Sequence, residues 1–127
     1  MLSSHYRIQI ANNTGVTATV SITAKRFKYA SDALVYESSA STLAASMSVT
    51  TAGYNATATV DNTTNLYLGG DFAVEVTVSG SPSGTVQMRL QRSVDGGTTW
   101  PENGAGELIS SLYITAAGTY RRTASVG

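Results

Sequence analysis

The chain is 127 residues long, carries eight Lys+Arg against eight Asp+Glu, and contains one histidine and no cysteine. That length suits one domain. The missing cysteines remove disulfides, thiolate nucleophiles and zinc knuckles, and the balanced charge removes the basic footprint of a nucleic-acid binder. Leu, Ile, Val and Phe total 26 residues, near the lower limit for a folded chain, so the core is expected to be thin and filled by Val, Ala and Thr.

In chain order, residues 1–5 (MLSSH) are expected to form a flexible amino-terminal arm and 6–127 a single domain. MLSSHYRIQI lacks the charged start and apolar middle of a signal peptide, and no apolar run approaches a membrane span, so synthesis in the cytoplasm and no membrane partner are expected. From Tyr6, apolar and polar residues alternate through Ile10 and stop at Asn12-Asn13-Thr14-Gly15; alternation resumes at Val16, so 6–11 and 16–29 read as a hairpin. Phe27 and Tyr29 then take the parity that was polar before, which asks for a bulge or a strand change near Arg26. ALVYE (33–37) reads as a short strand. SSASTLAASMS (38–48) fits a helical turn or an Ala/Ser-filled strand, and a strand over 43–51 is expected. Asp61–Asn65 and Gly69-Gly70-Asp71 are turn clusters around a short LYL strand at 66–68. FAVEVTVS (72–79) and TVQMRLQRS (85–93), separated by Gly80–Gly84, predict a second hairpin, and LISSLYIT (108–115) with TYRRTASV (119–126) a third. Short alternating strands with frequent turns and no clear helix predict an all-β domain, an antiparallel β-sandwich of jelly-roll or Ig-like type or a partly closed barrel.

One motif stands out. Ser93-Val94-Asp95-Gly96-Gly97-Thr98-Thr99-Trp100 resembles the Asp box, the S/T-x-D-x-G-x-T-W/F turn of sialidase-like propellers and other β proteins. A single copy argues against a propeller, and in sialidases the box lies away from the catalytic centre, so the resemblance imports no activity. By its chemistry, Asp95 accepts backbone N–H bonds across the turn, the two glycines supply positive φ, and Trp100 folds beneath as an apolar plug. Ser93, Asp95, Gly97, Thr99 and Trp100 are therefore expected to be structural.

No catalytic constellation is visible, and no cofactor or metal is expected. The eight carboxylates are scattered, and paired-acid glycoside hydrolysis lacks the aromatic-lined cleft that would accompany it. Asp61-Asn62 with Asp71, or Asp95 with its neighbours, has calcium-ligand chemistry, but a capped turn explains each. The basic residues Lys25, Arg26 and Lys28 on the second strand, and Arg121 and Arg122 near the end, are candidate partner contacts. Sequons at Asn12, Asn55 and Asn62 are the chance matches expected in a chain with 18 threonines.

The opening YRIQIANNTGVTATVSITAKRFKY, the stretch VEVTVSGSPSGTVQMRLQRSVDGGTTWPENGAG and the closing GTYRR are similar in style to the small Ser/Thr/Ala-rich β proteins in the virions of tailed bacteriophages. That resemblance implies a non-enzymatic structural protein, made in the host cytoplasm and assembled into the virion as a capsid decoration or tail-associated component. Its partners would be copies of itself and other virion proteins. The competing expectation is a carbohydrate- or receptor-binding sandwich, as in adhesins and tail fibres, that reads a host surface glycan through exposed Trp and Tyr around the Asp-box turn.

Overall fold

A computed structural model describes residues 2–127, which contain ten strands and no helix. They are β1 (His5–Asn12), β2 (Ala18–Ala30), β3 (Ala33–Tyr36), β4 (Ser41–Val49), β5 (Gly53–Ala56), β6 (Val60–Asp61), β7 (Gly69–Val78), β8 (Gly84–Ser93), β9 (Glu107–Ile114) and β10 (Gly118–Val126). Two antiparallel sheets form. The first runs β5-β1-β8-β9, with β6 also on β1; the second runs β10-β7-β2-β3, with β4 also on β2. The chain is a single-domain, all-β antiparallel sandwich.

Alternation explains the core. Tyr6, Ile8 and Ile10 of β1 and Val86, Met88 and Leu90 of β8 point inward from one sheet, against Val20 and Ile22 of β2 and Phe72, Val74, Val76 and Val78 of β7 from the other. Polar neighbours of the opposite parity face outward. Aromatic bulk in the fully buried set is limited to Tyr6 and Phe72, so Val, Ile, Leu and Ala fill the space; threonine, expected to share it, takes no part in the apolar core.

The three expected hairpins do not form. β1 pairs with β8 and β2 with β7, so residues 13–17 and 79–83 carry the chain between sheets instead of folding it back within one. The same holds for 115–117, since β9 pairs with β8 and β10 with β7. With 50–52, four such crossings gather at one end of the sandwich. The hairpins that do form are β2–β3, closed by Ser31-Asp32 with positive φ at both residues, and β8–β9 through the long 94–106 loop. A tight connection between alternating strands serves a hairpin or an arch equally well; only the direction of the buried faces separates them. Asn12 carried that signal. It continues the inward parity of Tyr6-Ile8-Ile10 and is fully buried, its amide donating to Val16 and Val49 carbonyls and its oxygen accepting from the Thr14 N–H and hydroxyl.

Other expectations shift in detail. β2 runs in unbroken register with β7 from Ala18 to Phe27, and the irregularity lies on β4, whose register against β2 slips twice, near Ser46 (φ 50°) and again between Ala44 and Thr42. At Arg26 the strand changes partner, from β4 to β3. No strand forms at 66–68, and Gly69-Gly70, expected as a turn, opens β7. A Cβ on Gly69 would lie 2.1 Å from the Val126 carbonyl and 2.7 Å from the Phe27 ring, so close packing rather than turning requires glycine there. Residues 2–5 are not a separate arm. Leu2 is buried in the core and its N–H donates to the Leu68 carbonyl, while Asn62 binds the Ser3 and Ser4 carbonyls; Met1 lies outside the described residues.

Candidate functional site

The 93–100 turn closes as its chemistry dictates. The Ser93 hydroxyl donates to Asp95 Oδ1 (2.8 Å) and accepts the Gly97 N–H (2.9 Å), and the Thr99 N–H donates to the same Asp95 oxygen (2.8 Å). Gly96 and Gly97 adopt φ of 75° and 90°. Hydrogen bonds from Thr99, side chain first and then backbone, and from the Ser93 hydroxyl hold the Asp95 carboxyl down at about 2. Trp100 is half-buried rather than plugged beneath. Its indole N–H donates to the Gly97 carbonyl (3.1 Å), and the Arg7 guanidinium lies over the ring, 4.4 Å from the centroid.

The rest of this loop is fastened by residues that composition and motif reasoning passed over. Gln9 and Gln91 stand on the outer face of the β1–β8 pair yet are buried, because residues 102–106 fold over them. Gln91 Nε2 donates to the Glu102 and Ala105 carbonyls and to Gln9 Oε1, which also accepts the Gly104 N–H; Gln91 Oε1 accepts from Arg7 Nε. Both amides sit at outward parity in strands, where sequence reads them as solvated. The available signal was a 13-residue excursion between two paired strands, which needs an anchor.

At the end of the sandwich opposite the four crossings, a second polar cluster forms. Arg26 and Glu37 make a double-pronged pair, Nη2 to Oε1 at 2.8 Å and Nε to Oε2 at 3.0 Å, with side chains 11% and 9% exposed. Arg26 also donates to the Tyr6 hydroxyl (3.0 Å) and Ser41 (3.0 Å), joining the two sheets. Burial disfavours the Glu37 charge, but the Arg26 guanidinium, the Ser41 hydroxyl and the Arg26 N–H outweigh it and hold the carboxyl at about 2. Arg26 is correspondingly raised, first through its hydrogen bonds to Glu37. This accounts for the parity change after Lys25: Arg26 occupies an inward position and is a strut of the fold, not the surface contact expected of it.

The remaining expected contacts do not converge. Lys28 lies over the Tyr67 ring (5.6 Å), the exposed Arg121 pairs with the half-buried Glu75 (2.9 Å), Arg122 donates to the Arg121 carbonyl, and Lys25 is exposed. Arg121 and Arg122 do line an open groove with Ser21, Thr23 and Glu75 on the outer face of the second sheet. Its one carboxylate is already spent on Arg121. Asp61 accepts the Thr63 N–H and hydroxyl, the capped-turn alternative to a calcium ligand. Among the described residues, no group of three His, Asp or Glu side chains is assembled for a metal.

Beyond the Arg26 cluster the β2–β3 hairpin continues, and here apolar residues are left open. Phe27 faces Tyr36 (ring centroids 5.4 Å apart) and Tyr29 faces Leu34 on one side of the ribbon. Tyr29 is 67% exposed, and Leu34, Val35 and Tyr36 are all more than 40% exposed. A comparison with protein-family models, curated proteins and solved structures finds no match for this chain.

Proposed function

We propose that this chain is a non-enzymatic structural module of a tailed-bacteriophage virion, a capsid-decoration or tail-surface component that works in multiple copies joined through the β2–β3 hairpin. The observation that carries the reading is the open edge of β3. A two-residue loop sets Ala30 opposite Ala33, so the alternation of an antiparallel pair turns the N–H and C=O groups of Leu34 and Tyr36 away from β2. An uncharged, β-branched and aromatic edge of this kind is what isolated proteins normally blunt. A second copy fits it with two-fold symmetry: Leu34 against the partner's Tyr36, Val35 against the partner's Val35, and the Phe27-Tyr29-Leu34-Tyr36 faces made continuous.

The area sets the strength. With roughly 150–250 Å² for a large side chain, the exposed fractions leave on the order of 350 Å² of apolar surface per chain, about 700 Å² per pair. That is under the ~1,000 Å² of a stable two-body interface, so two free chains pair weakly and an array of contacts on a scaffold is what would hold them. The virion as that scaffold rests on the sequence resemblance. Sedimentation from about 10 μM to about 1 mM is expected to show mass rising with concentration, and Leu34→Lys with Val35→Lys to abolish the rise without altering the fold. Quantitative mass spectrometry of purified phage particles from the source of this sequence is expected to find the chain at many copies per particle. A mass fixed at one chain throughout, or particles lacking the chain, would refute the respective halves of the reading.

Glycan binding through Trp100 has weaker support, because Arg7 occupies one indole face and the indole N–H is already used on Gly97. A saccharide site has better material elsewhere.

A further inference from the structure

The outer face of the first sheet holds a groove of about 170 Å³, room for five or six waters at ~30 Å³ each, which is the scale of one sugar ring. Its floor is Ala11, whose methyl group sits between Tyr54 on β5 and Gln87 on β8, its cross-strand partners in register. Two strand spacings place those flanking side chains about 9.5 Å apart. Gly104 of the pinned loop walls one side, Asn13 the end, and Arg89 stands two residues along β8 from Gln87.

Three features of the lining point to one ligand chemistry. Tyr54 is 48% exposed and offers an aromatic face of the kind that carries the C–H side of a pyranose. Gln87, whose Nε2 also donates to Ser111 (3.4 Å), and Asn13 present amides, which donate and accept together and so match vicinal hydroxyls. Arg89 is half-buried and, alone among the arginines of the described residues, has no hydrogen-bonding or ion-pair partner: Arg7 holds Gln91, Arg26 holds Glu37, Arg92 holds Glu107, Arg121 holds Glu75 and Arg122 holds a carbonyl. A planar guanidinium without a carboxylate, set in a groove of neutral polar groups, is a receptor for one.

We propose that this groove binds a carboxylate-bearing sugar, a uronic acid residue of a glycan, with Arg89 on the carboxylate, Gln87 and Asn13 on ring hydroxyls and Tyr54 along the side of the ring. The site is rigid because the Gln9–Gln91 pair fixes the 102–106 wall, and it is independent of the β2–β3 hairpin, so it stands or falls apart from self-association.

Titration of the whole chain with methyl glucuronide, methyl glucoside and acetate, followed by backbone amide NMR shifts, tests it. The glucuronide is expected to shift Ala11, Tyr54, Gln87 and Gly104 saturably, binding about tenfold tighter than either the glucoside or acetate. Arg89→Met should reduce the glucuronide to the level of the glucoside with the melting temperature unchanged, and Tyr54→Ala should weaken both sugars. Equal binding of glucuronide and glucoside, acetate binding as well as glucuronide, shifts indifferent to Arg89→Met, or no saturable shift from any of the three would each overturn the proposal.

Discussion

The two ends of the sandwich are finished in different ways. At one, three of the four crossings are tied to each other by hydrogen bonds: Asn12 reaches the first crossing and the end of β4, the Gly15 N–H donates to Thr51, and the Ser83 N–H to the Thr14 carbonyl. At the other, a buried ion pair locks the sheets and an apolar hairpin runs on past it into solvent. A chain with few large side chains closes one end with polar networks because it lacks the bulk to do so otherwise. The other end keeps its exposed apolar residues together on one ribbon, where a copy can cover them.

The largest expected effect comes from opening the locked end. Glu37→Gln leaves the Arg26 charge buried without a counter-charge, and breaking a buried pair in this way costs about 3–5 kcal/mol, measured by urea unfolding. Arg26→Met with Glu37→Met together should recover much of that loss, since removing both charges removes the desolvation cost as well.

Acid should reproduce part of the same break. Glu37 has a folded value of about 2 against an ordinary 4.5, a depressed carboxyl, so its contribution is fully present above the ordinary value and is lost as pH falls through the folded one. The sign predicts constant stability from this group down to pH of about 5, then a decline toward pH 2 totalling about 3 kcal/mol. Glu37→Gln should flatten most of that slope, while Asp95, exposed and depressed to about 2, adds a decline in the same window. A slope unchanged in Glu37→Gln would place the acid-sensitive contact elsewhere.

The crossing end should respond to Asn12→Leu. The variant adds apolar volume of the right parity but strands the Val49 carbonyl and the Thr14 N–H, while the Thr14 hydroxyl still donates to the Val16 carbonyl, at about 2–3 kcal/mol, read again in urea. A smaller loss would mean that water replaces the amide and that this end is less sealed than its hydrogen bonds indicate.

These two ends also mark how far the residues alone could be read. Strand positions were legible because alternation is local: 119–126, for example, is met by β10 at Gly118–Val126. Pairing was not, since the turn residues of 12–15 and 80–84 suit an arch as well as a hairpin, and the choice depends on which sheet each apolar face meets. The parity change at Phe27 was visible, but its cause, Glu37 reaching back from beyond β3 to claim Arg26, is an 11-residue contact that no periodicity encodes. In the 93–100 turn the motif delivered its own bonds, while the pinning of 102–106 by Gln9 and Gln91 joins residues 82 apart. The groove at Tyr54 and Arg89 was missed for the same reason: its lining comes from three strands and two loops.

Trp100 gives the smallest effect and the finest test of the loop. An indole fully buried as a plug would cost about 3–5 kcal/mol on truncation to alanine. Here the ring is half-buried, its N–H serves its own turn and Arg7 covers a face. Losing partial burial, one hydrogen bond and one cation–π contact therefore predicts about 1–2 kcal/mol. Because Arg7 is also held by Gln91, Trp100→Ala should loosen the 94–101 segment while 102–106, tied to Gln9 and Gln91, stays in place. Hydrogen exchange separates the two: faster exchange at Gly97 and Thr99 with protection retained at Gly104 is the expected pattern. Loss of protection across the whole loop would make Trp100, rather than the glutamine pair, the anchor of this face.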